Sequence, residues 1–136
     1  MAIKVRLEKS KFKEANRAGK WYARTVSMGD VTTAELASKI QQGNSFTKAD
    51  VQGLIVALVE EMRQQLQMGK TVVLDGVGRF RLSVESEAAT DEKDFNLGRN
   101  IKAVRCAFVP AGKRSQDGKK EDCLAEGVKV EWLQDK

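Results

Sequence analysis

The stretch from Asp50 to Leu66 constrains this chain most: Val51, Leu54, Ile55, Leu58, Val59, Met62 and Leu66 recur at three- and four-residue spacing. That period puts all seven on one stripe of a helix about four turns long, and such a stripe packs on a core. Val56 and Ala57 widen it sideways. The chain supplies few other elements to cover so broad a face, so a helix from a second subunit would complete the cover.

Local signals bound this helix and one before it. Thr47 can cap free backbone amides, Asp50 sits in the electropositive first turn, Phe46 can staple to Val51, and Gly69 supplies a stop. The same grammar occurs upstream, with Thr32 as cap, Glu35 reaching back and Val31 stapling to Leu36, and Gly43-Asn44 separates the two helices.

The remainder reads as strands. Thr71 to Leu74, the turn Asp75-Gly76-Val77-Gly78 and the alternating run Arg79 to Val84 make a strand, a turn and a returning strand. Residues 85 to 98 lose the alternation and carry five acids against Lys93 alone, as a loop or short helix. Strand character returns from Ile101 to Val109 and stops at Pro110, the chain's one proline. The basic tract from Lys113 to Lys120 is expected to begin a short helix running to Leu124, although Gly118 weakens it by about 1 kcal/mol. Val128 to Leu133 alternates as an edge or covering strand. At the amino end, Ile3, Val5 and Leu7 alternate with Lys4 and Arg6, and Trp21 to Val26 is aromatic and β-branched, giving two strands joined through Ala18-Gly19-Lys20. Trp21, Tyr22 and Trp132 are expected to pack in the core rather than stack on bases.

At 136 residues and 41% hydrophobic, the chain can bury one core, and a single domain with extensions is expected. Net charge is +5, and its placement says more than its size. Residues 1 to 24 hold eight basic and two acidic side chains, and residues 99 to 120 hold seven and one. Both segments suit a polyanion. Two cysteines without a CxxC pair and without any histidine argue against zinc. With Cys106 on an expected buried strand and no glycine-rich phosphate loop, no nucleophile and base stand together, so neither an enzyme nor a cofactor is expected. No run approaches 18 apolar residues, and a soluble intracellular protein without membrane contact is expected.

Two capped helices, a strand, a Gly-x-Gly turn, an alternating strand, an irregular arm and a strand ending at proline follow the element order of the HU/IHF family, the histone-like DNA-binding proteins of bacteria. Gly76-Val77-Gly78-Arg79-Phe80 resembles that family's Gly-Phe-Gly-x-Phe turn. Phe108-Val109-Pro110-Ala111-Gly112-Lys113 resembles its Phe-x-Pro-Gly-Lys with one inserted alanine. The similar stretch runs from about Val31 to Lys113, and the added strands at both ends look like an extended branch of HU-like proteins from Bacteroides-type bacteria.

The resemblance implies an α+β fold, an intertwined homodimer whose helices form a base and whose strands form a saddle, and two β-arms that embrace and bend double-stranded DNA. It implies one domain over residues 1–136: a basic strand extension over 1–28, an HU-like core over 29–113, and a basic tract with a terminal strand over 114–136. The expected activity is sequence-tolerant, salt-sensitive architectural DNA binding in the cytoplasmic nucleoid, with no small-molecule substrate. Lys113 matches the family's lysine, and Arg114 follows it. Arg79 and Arg81 share a strand face, and Arg99, Lys102 and Arg105 lie on the next strand or its entrance.

Two departures stand out. There is no arm-tip proline to wedge between base steps, and Asn96-Leu97-Gly98-Arg99-Asn100 occupies its place. Leu97 or Ile101 could serve as a wedge with Arg99 beside it. The preferred expectation is that Phe95 and Leu97 tuck a shortened, acidic arm against the body. Ser83 and Glu85 also stand where the family places arginines. The rival reading is therefore a dimeric interaction protein on the same scaffold that has lost DNA binding.

Overall fold

The computed structural model describes residues 1–11 and 18–134; Lys13 and Arg17, counted above in the basic amino-terminal segment, lie outside them. In chain order the elements are β1 (Ala2–Lys9), β2 (Trp21–Val26), α1 (Thr33–Gly43), α2 (Lys48–Gln67), β3 (Val72–Leu74), β4 (Gly78–Ser86), a 3-10 turn (Glu92–Asp94), α3 (Leu97–Asn100), β5 (Ile101–Pro110), β6 (Gly112–Arg114), β7 (Lys120–Asp122), a second 3-10 turn (Cys123–Ala125) and β8 (Lys129–Trp132). The fold is α+β, as expected. The chain groups into two units, Met1–Leu36 with Gly127–Lys136, and Ala37–Glu126.

Both helix starts form as the sequence dictates. The Thr32 amide donates to the Glu35 carboxylate at 2.9 Å and the Glu35 amide to the Thr32 hydroxyl at 3.2 Å. Thr47 and Asp50 repeat the exchange ahead of α2. Such reciprocal bonds satisfy amides that have no partner inside the helix.

In the first unit, β1 lies between β2, antiparallel to it, and β8, parallel to it. The expected terminal strand is thus an edge strand. Trp21 and Trp132 are 63% and 62% exposed, and Tyr22 is exposed too. This corrects the expected core packing. The three rings sit on the outer strands of a three-stranded sheet, where each has neighbours on one side only.

The second unit carries the antiparallel sheet β3-β4-β5. Phe80 faces Phe108 across the strands, with ring centroids 4.8 Å apart. Gly78 opens β4 at φ +151°, and a Cβ there would strike the Val109 carbonyl oxygen and the Phe108 ring, so the tight turn requires glycine. An open groove of about 250 Å³ between α2 and β4 is lined by Val59, Met62, Arg63, Leu66, Gln67 and Leu82, so Leu82 points to the helix side of the sheet.

Two further expectations fail. The tract from Lys113 to Leu124 is not a helix: β6 and β7 form a hairpin that turns at Gly118, φ +79°, a conformation an L side chain seldom adopts. Cys106 is exposed, because β3 pairs only with Gly78 to Phe80 and gives the ribbon no third strand at that point.

Among the described apolar residues only Val5, Ala37, Val51 and Leu66 are buried. Leu54, Val56, Leu58 and Val59 of α2 remain exposed. A single copy leaves the middle of the α2 stripe, at Leu54, Leu58 and Val59, uncovered.

Candidate functional site

The β4-β5 ribbon positions most of the expected cations. Directly paired residues share a sheet face, and Arg79 pairs with Val109, Arg81 with Ala107 and Ser83 with Arg105. Arg79, Arg81 and Arg105 therefore stand on one face, while Phe80, Phe108, Leu82 and Cys106 occupy the other. From Arg81 to Ser86 the ribbon is two-stranded, about 20 Å of arm at the usual rise per residue.

Charge availability changes along this arm. Arg79 and Arg81 have no carboxylate within ion-pairing distance among the described residues. Arg105 is held by Glu85 at 3.0 Å and Lys102 by Glu87 at 2.8 Å, both in exposed pairs. Lys102 is also out of phase with Arg105 along β5, and a register shift between Glu85 and Ser86 separates it further from the arginine face. Arg99 turns back to donate to the Asp94 carbonyl at 2.7 Å.

The end of the arm is closed by Asn100, the buried polar residue among those described. Its side-chain oxygen accepts from the Asn96 amide at 2.9 Å, its side-chain nitrogen donates to the Glu87 carbonyl at 3.3 Å, and the Glu87 amide donates to its carbonyl at 2.7 Å. Sequence reasoning passed over this residue, although an asparagine at a strand entrance is a common turn former. Leu97 does not tuck: it is 75% exposed at the start of α3, one turn too short to bury it. The expectation for Leu97 is corrected.

Lys113 and Arg114 lie on β6. Lys113 stands opposite Glu121, and Arg114 opposite Lys120. Like charges directly opposite each other oppose pairing, so Arg114 and Lys120 leave positive charge uncompensated at one spot. The structure brings Lys120 to Arg114, a neighbour that only the hairpin register reveals.

The amino-terminal sheet carries a charged cluster that the expected site did not include. Glu8 accepts from Arg6 at 2.7 Å and pairs with Arg24 at 2.8 Å, and Lys4 pairs with Glu131 at 2.6 Å. The hydrogen bond from Arg6, aided by the charges of Arg6, Arg24 and Lys11, holds the Glu8 carboxyl below the usual carboxylate range against a smaller opposing effect of desolvation.

Residues 1–124 match the family model described as an HU domain fused to a winged helix-turn-helix, Ig or glycine-rich motif. The chain belongs to the HU/IHF family. Within it, this HU-family chain is 37% identical over 84 residues to integration host factor subunit alpha of Pseudoalteromonas atlantica, spanning 62% of this chain and 86% of that subunit. It is 28% identical over 103 residues to the same subunit of Vibrio atlanticus, spanning 74% and 97%. A crystal structure of a Bacteroides vulgatus protein, provisionally named a bacterial DNA-binding protein, superposes with a TM-score of 0.64 at 11% identity. That match covers 97% of this chain and 48% of the other, so the chain spans about half of that structure's length, and the likeness concerns the fold alone. Membership places the chain with non-enzymatic proteins, in line with the expectation from sequence. No described helix is long and apolar enough to cross a membrane.

Proposed function

We propose that this HU-family chain binds double-stranded DNA as an architectural protein in the nucleoid, acting as a homodimer that grips phosphates with little regard to sequence and bends the duplex. The observation that carries the reading is the pair Arg79 and Arg81, side by side on an exposed strand face with no carboxylate partner among the described residues. Guanidinium groups bind phosphate oxygens with two parallel hydrogen bonds, and each phosphate neutralised releases condensed counterions. Such contacts position a protein on DNA without reading bases.

Family membership supports the ligand class. The exposed α2 stripe supports the dimer, since a second copy is the simplest cover for Leu54, Leu58 and Val59. Bending is supported by Leu97, an exposed apolar side chain at the end of the arm, where a wedge would unstack a base step at a cost of a few kcal/mol. Lys113 and Arg114 extend the cationic surface, and Lys102, Arg105 and Arg99 contribute once their internal partners yield.

The Arg105–Glu85 and Lys102–Glu87 pairs favour a second reading, an interaction protein whose arm no longer meets DNA. A salt titration of binding to a mixed-sequence duplex, followed by fluorescence anisotropy, separates the two. Binding at low salt that weakens steeply as salt rises supports the proposal. No binding at low salt supports the second reading.

A further inference from the structure

The β2-β1-β8 sheet has two unlike faces. Ile3, Val5 and Leu7 of β1 share one with Trp21, Ala23, Val130 and Trp132, and Val5 is buried. The other face is charged. There the register sets Arg6 opposite Arg24, Glu8 opposite Tyr22, Lys4 between Val26 and Glu131, and Lys129 beside Ala2.

Two arginines directly opposite each other on an antiparallel pair repel, and a structural pattern would place an acid across from each. Here both guanidinium groups converge on the one carboxylate of Glu8, at 2.7 and 2.8 Å. One positive charge of the two stays uncompensated, and the arginine forks are already arranged around an anion, the geometry that suits a phosphate. Lys129 has no carboxylate within pairing distance among the described residues, so Lys4, Arg6, Arg24 and Lys129 face only Glu8 and Glu131. At the hairpin end an open hollow of about 790 Å³ is lined by Lys11 with Glu8, Tyr22 and Arg24, and by Lys9, which the register places on the face of Trp21.

We propose that this charged face is a second contact for the DNA backbone, with Arg6, Arg24 and Lys129 as its phosphate-binding groups. The inference rests on the DNA-binding reading above and adds a site to it. An acidic membrane surface is the weaker fit. Interfacial binding needs a broad apolar surface beside the cations, and most apolar residues of this sheet lie on the opposite face, leaving Ala2, Tyr22 and Val26 on this one.

The test is duplex anisotropy with the full chain across a salt series. Arg24→Gln with Lys129→Gln should weaken binding roughly tenfold at low salt and reduce the slope of log affinity against log salt by about 1.8, the share of two phosphate contacts. Glu8→Gln should act in the opposite direction, tightening binding by about threefold, because it removes the internal anion that competes for both arginines. A misfolded variant cannot mimic that gain. If the unmutated protein binds while the double variant keeps its affinity and slope, or Glu8→Gln fails to tighten, this proposal falls alone. If the unmutated protein does not bind, the DNA-binding reading falls with it. Phosphatidylserine vesicles that lose only the double variant, with duplex binding unchanged, would assign the face to a membrane and overturn the proposal.

Discussion

The two halves of the β4-β5 ribbon carry similar numbers of cations and differ in what those cations can do. Near the turn, Arg79 and Arg81 share one face and have no carboxylate partner among the described residues. Further out, Arg105 and Lys102 are each matched by a carboxylate on or just past the facing strand. The lesson is that basic residues counted in a sequence overstate the charge open to a ligand. Exposed pairs of this kind are worth at most about 1 kcal/mol, so a phosphate can displace the carboxylates, but only after offsetting that small cost.

The comparison can be broken most directly at its free end. Arg79→Glu with Arg81→Glu should weaken duplex binding about a hundredfold at low salt, because two contacts become two repulsions. An affinity within threefold of the unmutated protein, measured by anisotropy, would remove the carrying observation. Lys113→Glu with Arg114→Glu should cost about tenfold in the same assay, with less loss because the register sets Lys113 opposite an acid, Glu121. Indifference there would restrict the site to the ribbon.

The paired end predicts a gain. Glu85→Gln with Glu87→Gln should tighten binding about threefold by releasing Arg105 and Lys102, and the gain should vanish at high salt as surface charges are screened. Unchanged affinity would mean that the distal half of the arm never reaches the duplex. The smallest effect on affinity, within about twofold, belongs to Leu97→Ser, which removes a wedge without removing charge. Its effect should appear instead in ring closure of short duplexes, where the unmutated protein speeds cyclisation and the variant does so less.

What was legible in the sequence was local or periodic. Thr32 with Glu35 and Thr47 with Asp50 announced both helices because each cap closes within four residues. The Arg79/Arg81 face followed from alternation alone. The β6-β7 hairpin was missed because Gly112 pairs with Asp122 across ten residues, while Gly118 reads equally as a weak helix residue and as a turn. The neutralising pairs were missed for a related reason: Glu85 meets Arg105 only once the register of two strands twenty residues apart is known. Trp21 and Trp132 were misread because alternation gives a strand but not its place at the edge of a sheet.

The central claim is that free cations, rather than all cations, set the interface. One measurement compares Arg79→Gln with Arg81→Gln against Lys102→Gln with Arg105→Gln in the same salt titration. The first pair should reduce the slope of log affinity against log salt by about 1.8, and the second by less than about half of that. Equal losses, or a larger loss from Lys102 and Arg105, would contradict the account.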